Sequence, residues 1–153
     1  MKKIQTEETV IVTTEDCAQS LSGDVRVVKP GDKEVIHDIT VEAVPSYNLN
    51  KDFHPESEKW IGFVVTMKGK RIYYCGDTDF IPEMRNIRAD IVIAPVGGTY
   101  TMTAEEAARA VNVIKPETAI PIHFGDIVGS RKDAERFSDL CECSVEIKPV
   151  VSV

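Results

Sequence analysis

The segment RIYYCGDTDF, residues 71–80, joins an apolar run directly to a pair of carboxylates. The run at residues 72–75 is typical of a buried β-strand because it is rich in aromatic and β-branched side chains. It ends in a glycine that is followed by Asp77 and Asp79. A strand that ends in acidic residues predicts a binding site for a ligand of these acids. The rest of the sequence indicates which kind of ligand that is.

Two later segments repeat this order of apolar strand and glycine-containing loop, at residues 93–99 (IAPVGGT) and residues 120–126 (IPIHFGD). In open α/β sheets, ligands bind beyond the carboxyl ends of the strands. Asp77 and His123 are therefore expected to project from neighbouring strand ends into one pocket. Carboxylate oxygen and imidazole nitrogen suit zinc, manganese or iron, so the pair is a candidate metal site. The alternatives are a turn or helix-cap role for Asp77 and an ordinary polar contact for His123.

The remaining elements predict mixed α/β layers in one domain, residues 1–153, since no repeat or linker divides the sequence. The first half is rich in hairpins, and the second half alternates strand and helix. Residues 45–59 are expected to form a long polar loop, and loops of that length are often functional. Apolar patterns and turn signals predict strands at residues 9–12, 25–28, 35–44 (one or two strands), 60–67, 71–75, 91–94, 118–122 and 144–147, and helices at residues 14–21, 82–87, 103–114 and 131–140.

Composition argues against several classes of protein. The net charge is −7 and no cluster of Lys or Arg is present, so we expect no nucleic-acid partner. No apolar run reaches the roughly 18 residues of a membrane span, and residues 1–8 lack the apolar core of a signal peptide, so we expect no membrane partner and a cytoplasmic location. The Cys141 and Cys143 spacing is wrong for a zinc ribbon, and the four cysteines are expected to be free thiols.

Three segments, taken together, resemble the metallo-β-lactamase-fold superfamily, and more narrowly its branch of metal-dependent hydrolases akin to the ascorbate-phosphate lactonases. They are YYCGDTDFIPEM (residues 73–84), IAPVGGTYTMTAEEAARAVNVIKPETAIPIHFGDIVGS (residues 93–130) and AVPSYNLNKDFHPESEKWIGFVV (residues 43–65). The resemblance covers residues 9–130, which is most of the chain. It implies an αβ/βα sandwich with a metal centre at one edge of the two sheets.

The resemblance also implies roles for particular residues. Asp77 matches the acid of the G-D-T motif, which bridges two metals, and His123 matches the histidine of the P-x-H-(F/Y)-G motif, a terminal ligand of the second metal. His54, in the F-H-P element, is expected to contact substrate or to complete a metal shell. Tyr100 lies in a loop that faces the same cleft, and Asp79 is expected to orient a ligand by accepting a hydrogen bond. The implied cofactor is zinc, with manganese or iron as alternatives, and it would lower the pKa of bound water toward about 7.

The signature of this family, H-x-H-x-D-H, is absent from the sequence. The chain has three histidines, His37, His54 and His123, no two of which are close together, and His37 is expected to be an ordinary strand or turn residue. In relatives the signature precedes a segment like residues 3–12, so the chain is expected to be N-terminally truncated and to lack the first strands. Catalytic zinc usually has three protein ligands, and Asp77 and His123 supply two. A sheet left uncovered by missing strands is expected to favour a homo-oligomer.

Three hypotheses therefore stay open from the sequence. The first is a metal-dependent hydrolase that cleaves a phosphoester, lactone or related bond in a small molecule through metal-activated water. The second is a non-catalytic remnant of the fold that acts as a structural partner, either of a second copy or of a separately encoded piece. The third is a trivially truncated chain with a misplaced start codon.

Overall fold

The computed structural model describes residues 5–125 and 127–149. It consists of a two-stranded sheet, a seven-stranded mixed sheet and helices, which confirms the predicted mixed α/β class. In chain order the elements are β1 (Val10–Thr13), α1 (Glu15–Ala18), β2 (Asp24–Val27), β3 (Lys33–Ile36), β4 (Ile39–Pro45), β5 (Ile61–Met67), β6 (Lys70–Tyr74), β7 (Ile91–Pro95), α2 (Ala104–Ile114), β8 (Thr118–Ile122), α3 (Arg131–Leu140) and β9 (Ser144–Val145).

The large sheet changes direction in its middle. Strands β3 to β6 are antiparallel neighbours, whereas β6 to β9 are parallel, and the seven strands lie in sequence order. The β5–β6 hairpin turns at Lys68 and Gly69, and both have positive φ, as a two-residue turn with the twist of the strands requires. Because β6, β7 and β8 run in parallel, their carboxyl ends meet at one edge of the sheet.

Several predicted elements are shorter or different in the structure, and the strand predicted at residues 144–147 is only Ser144–Val145. The helix predicted at residues 14–21 is the single turn Glu15–Ala18, because the chain must turn back at Gly23 (φ 110°) to pair β2 with β1. The helix predicted at residues 82–87 is a 3₁₀-helix, Pro82–Asn86. The region predicted as one or two strands at residues 35–44 is two strands, β3 and β4, joined by a turn at His37 and Asp38.

The two faces of the large sheet are buried to different extents. Four residues that are register partners across β5, β6, β7 and β8 are each at most 1% exposed: Val64, Tyr73, Val92 and Ala119. This row belongs to the core cluster that also contains the alanines of α2. The next row points to the opposite face, because side chains alternate along a strand. That row is only partly covered, with Tyr74 43% exposed, and its members are Phe63, Tyr74, Ile93 and Ile120.

The helix that covers the buried face begins where the sequence predicts. At the start of α2, the Thr103 side chain accepts a hydrogen bond from the Glu106 amide, and the Glu106 carboxylate accepts one from the Thr103 amide. The helix ends at Lys115, which has a left-handed conformation, immediately before Pro116. None of the helices formed by residues 5–125 and 127–149 has both the length and the apolar character that a bilayer crossing needs.

Candidate metal centre

Asp77 and His123 lie at the shared carboxyl edge of the parallel strands and face each other. Asp77 follows the end of β6 by three residues, and His123 follows β8 directly. The distance from Asp77 Oδ2 to His123 Nε2 is 3.6 Å. The two side chains are 38% and 30% exposed, so an ion and a small molecule can reach them from solvent. The structure therefore brings together two residues that are 46 positions apart in sequence.

The intervening strand leaves room for this meeting because its tip carries glycine. β7 lies between β6 and β8 and is followed by Gly97 and Gly98. The backbone of His123 packs against Gly97, where a side chain would collide with it. His123 itself has φ 61°, a left-handed conformation that directs the chain out of the strand. On the other side, Gly76 (φ 72°) allows the segment before Asp77 to pass close to Ser46.

The geometry of the pair fits two ligands of one divalent cation. Donors about 2.0–2.2 Å from a tetrahedral zinc ion lie about 3.4 Å apart, which is close to the 3.6 Å found between Asp77 and His123. Among residues 5–125 and 127–149, no group of three His, Cys, Asp or Glu side chains could hold a metal ion. The pair thus fits two positions of a coordination sphere, and no third His, Cys, Asp or Glu of the described residues joins it.

His54 lies on the wall of the same cleft as Asp77. It belongs to the long loop between β4 and β5, has φ 53°, and packs edge-on against Trp60 with ring centroids 4.8 Å apart. Its Nδ1 atom is buried and has no hydrogen-bond partner among the described residues, and the same holds for Nδ1 of His123. Its predicted role as an accessory ligand or substrate contact stays a prediction, because it does not complete a group of three with the pair.

Asp79 holds the long loop in place. Asp79 is only 5% exposed. Its Oδ2 accepts a 2.9 Å hydrogen bond from the Leu49 amide, and its Oδ1 pairs with the Lys51 ammonium. Next to it, the buried Thr78 hydroxyl accepts a hydrogen bond from the Tyr47 amide at 3.1 Å. The segment that carries Asp77 therefore also fixes the start of the loop that carries His54. The predicted role of Asp79 in orienting a metal ligand stays a prediction.

Tyr100 lies beside His123. It lines a pocket of about 290 Å³ together with Phe124, Ile127 and Val128, here called the His123 pocket. The Tyr100 ring packs edge-on against Phe53 of the long loop, 4.9 Å between centroids, and its carbonyl accepts a 2.8 Å hydrogen bond from Asn48 Nδ2. The long loop and the loop after β7 are thereby tied together next to the site.

The cleft on the Asp77 side, of about 440 Å³, has aromatic walls that the sequence analysis did not identify. It is called the Trp60 cleft here, and its lining includes Ser46, His54, Trp60, Phe63, Tyr74 and Asp77. Burial, then the Asp77 charge, raises the pKa of Tyr74. The signal for these walls was present in the sequence, because Phe63 and Tyr74 are register partners on one face of the predicted β5–β6 hairpin. Nothing local indicated that Trp60 would join them.

All four cysteines are free thiols. Among the described residues, no cysteine belongs to a group of three His, Cys, Asp or Glu side chains that could hold a metal ion. Burial, together with contact with Cys143, raises the pKa of Cys141 to about 12. A thiol with a raised pKa is a poor metal ligand, since the thiolate is the ligating form.

Comparison with known proteins agrees with this architecture. The model of the family described as beta-lactamase superfamily domain matches residues 8–123. A UPF0173 metal-dependent hydrolase of Staphylothermus marinus is 32% identical over 148 residues, covering 94% of this chain and 60% of its own length. A crystal structure of a candidate metal-dependent hydrolase from Parabacteroides distasonis superposes with a TM-score of 0.84 at 33% identity, covering 96% of this chain and 67% of that one. The metallo-beta-lactamase-fold protein YhfI of Bacillus subtilis shares the fold alone, with a TM-score of 0.73 at 12% identity over 91% of this chain and 61% of that one.

The fold is thus that of the metallo-β-lactamase superfamily. This chain belongs to the beta-lactamase superfamily domain family, whose model matches most of its length. It spans about 60% of the length of the Staphylothermus marinus relative, so that relative contains residues with no counterpart here.

Proposed function

We propose that this chain carries part of the centre of a metal-dependent hydrolase that cleaves a phosphoester, lactone or related bond in a small molecule. The observation that carries the proposal is the 3.6 Å approach of Asp77 Oδ2 to His123 Nε2 at the carboxyl edge of the parallel strands. The relatives described as metal-dependent hydrolases support the same class of activity. In this proposal Asp77 and His123 are two ligands of a divalent cation, zinc first and manganese or iron as alternatives.

Each residue has a definite task in the proposed site. When bound, the cation would supply Lewis acidity and lower the pKa of water toward about 7. The Asp77 carboxylate supplies negative charge and His123 a neutral nitrogen, and both are held on strand ends, which position ligands more accurately than loops do. His54 contacts the substrate or adds a ligand, and Tyr100 lines the approach to His123.

Metal content is the direct test. The purified chain is loaded with Zn²⁺, Mn²⁺ or Fe²⁺, desalted, and analysed for bound metal and for hydrolysis of a panel of phosphoesters and lactones. We expect Asp77→Ala and His123→Ala each to lower metal retention and hydrolysis at least about tenfold. His37→Ala is the matched control, because His37 is an exposed turn histidine with a similar φ of 55°. The proposal fails if no metal is retained and Asp77→Ala leaves every measured hydrolysis unchanged.

A second candidate function is that of a non-catalytic structural partner, with a second copy of the chain as the binding partner. It is favoured by the lack of a third ligand among the described residues and by the half-covered apolar row that contains Phe63 and Tyr74. Light scattering tests this second candidate, for which we expect a dimer that Tyr74→Asp dissociates. A metal-free monomer that binds no hydrophobic dye would argue against this candidate.

A further inference from the structure

The two depressions that meet at the Asp77–His123 pair are both apolar. The Trp60 cleft presents the rings of Trp60, Phe63 and Tyr74. The His123 pocket presents Tyr100, Phe124, Ile127 and Val128, and Ile127 is 88% exposed at its rim. A molecule whose reacting group lies at the pair therefore has apolar surface available on both sides.

The charged side chains that line these depressions have one sign. Apart from the histidines, the charged residues of the Trp60 cleft are Asp16 and Asp77. Of the described residues that line either depression, none is Lys or Arg. The Lys51 ammonium, in the long loop, is paired with Asp79 and lines neither depression. Anionic groups such as phosphate are recognised by Arg, Lys or clustered backbone amides, so these walls supply little to bind one.

Two contacts hold the Trp60 ring of the aromatic wall in place. The Trp60 indole Nε1 donates a 3.1 Å hydrogen bond to Asp16 Oδ2, which ties the ring to α1. The other side of the indole meets the edge of His54. A wall that is already ordered loses little conformational entropy on binding, so its apolar area contributes more fully to affinity.

We infer that this site selects an uncharged molecule bearing an aromatic or other apolar group, such as an aryl lactone or ester, over an anionic phosphoester of similar size. The selection comes from burial of apolar surface on the three rings and, while no cation is bound, from repulsion of anions by Asp16 and Asp77. The statement that the bound molecule is also the substrate rests on the proposed function; the binding preference does not.

The preference is measured on the full chain in EDTA, so that no metal ion recruits the phosphate group. Trp60 is the single tryptophan, and its fluorescence therefore reports the cleft directly. The probes are dihydrocoumarin, an uncharged aryl lactone, and phenyl phosphate, an anion with the same ring. We expect dihydrocoumarin to change the fluorescence saturably and to bind at least about tenfold more tightly than phenyl phosphate. Equal or tighter binding of phenyl phosphate, or no binding of dihydrocoumarin, overturns the inference.

Substitutions assign the preference to the walls. Tyr74→Ala should weaken dihydrocoumarin binding about tenfold, and the milder Phe63→Leu should weaken it severalfold if Tyr74→Ala fails to fold. Asp16→Asn keeps an acceptor for the Trp60 indole while removing a charge, so it should strengthen phenyl phosphate binding. Val35→Ala, at a 66% exposed position on β3, is the control and should change neither probe. Unchanged dihydrocoumarin affinity in folded Tyr74→Ala or Phe63→Leu overturns the assignment.

The two proposals fail separately. Preferential lactone binding together with absent metal retention would leave the inference standing and remove the metal-dependent hydrolase. Metal retention through Asp77 and His123, together with equal affinity for both probes in EDTA, would leave the metal-dependent hydrolase standing and overturn the inference.

Discussion

Gly97 and His123 approach so closely that the glycine has no room for a side chain. A Cβ atom built on Gly97 would lie 2.4 Å from the carbonyl oxygen of His123 and 3.3 Å from its Nδ1. The first of these atoms belongs to the backbone, so the contact cannot be relieved by a change of rotamer. The bare backbone at the tip of β7 is what allows His123 to lie over it and to reach Asp77.

Gly97→Ala should therefore displace His123 while leaving the sheet folded. We expect a loss of stability of about 1–3 kcal/mol from the overpacking and, on the proposed metal site, at least about a tenfold loss of zinc affinity. Calorimetric titration with Zn²⁺ measures the affinity, and NMR of the three histidine rings shows independently whether His123 has moved. Gly31→Ala is the control, because no atom lies within 4 Å of its added Cβ and any strain comes from its φ of 95° alone. Wild-type zinc affinity and unchanged ring signals in Gly97→Ala would contradict the prediction.

Lys51 and Asp79 form an ion pair whose two members differ in exposure, and this predicts unequal effects of substitution. The Lys51 and Asp79 side chains are 20% and 7% exposed. Lys51→Met leaves a buried carboxylate with no cation, which should lower the free energy of unfolding by about 3 kcal/mol. Lys70→Met is the control, since the Lys70 and Glu117 side chains are 53% and 66% exposed and such pairs contribute less than about 1 kcal/mol. Urea denaturation measures both changes, and equal losses for the two variants would contradict the prediction.

The sequence was sufficient to predict the meeting of Asp77 and His123. Each follows a short apolar run, and parallel strands end at the same edge of a sheet, so the pattern predicts both side chains at that edge. The helix at residues 103–114 and the strands at residues 60–67 and 71–75 were predicted close to their observed bounds for a similar reason, because a few neighbouring residues determine each of them.

The arrangement of the long loop was not predictable in the same way. Asp79 pairs with Lys51, 28 positions earlier, and Trp60 bonds to Asp16, 44 positions earlier. These contacts depend on how the whole chain folds, and no local pattern specifies them. The predicted helix at residues 14–21 was too long for a related reason: the pairing of β2 with β1 ends it after Ala18, and that pairing is not visible in the helical residues themselves.

Thr78 links the Asp77 segment to the long loop through its hydroxyl, and this link can be removed with little change of shape. The hydroxyl is buried, accepts a hydrogen bond from the Tyr47 amide at 3.1 Å and contacts the Tyr47 and Asp79 carbonyl oxygens at 2.9 Å. Thr78→Val leaves a buried amide unpaired and should lower stability by about 1–3 kcal/mol. Thr78→Ser keeps the hydroxyl and is the matched variant. If thermal unfolding shows that Thr78→Val is as stable as Thr78→Ser, the hydroxyl does not anchor the loop.

Alkaline pH should destabilise the protein through tyrosines that fold in their neutral form. Burial, followed by the hydrogen bond to Glu83, raises the pKa of Tyr47 from 10.0 to about 12. Burial likewise raises the pKa of Tyr73 well above its ordinary value. Above about pH 10 the unfolded chain releases these phenolic protons, which the folded chain retains, so the contribution of the tyrosines to stability is constant below that pH and falls as the pH rises toward 12.

Tyr47→Phe isolates one part of this loss. The variant lacks the hydroxyl, so its free energy of unfolding should fall by about 1 kcal/mol less than that of the wild type between about pH 8 and pH 11. At pH 8 the variant should be less stable than the wild type, because the hydrogen bond to Glu83 is gone. Glu83→Gln should act in the same direction, because it removes a negative charge that disfavours the phenolate. Urea denaturation at each pH gives the slopes. Parallel curves for wild type and Tyr47→Phe would show that Tyr47 does not retain its proton in the folded state.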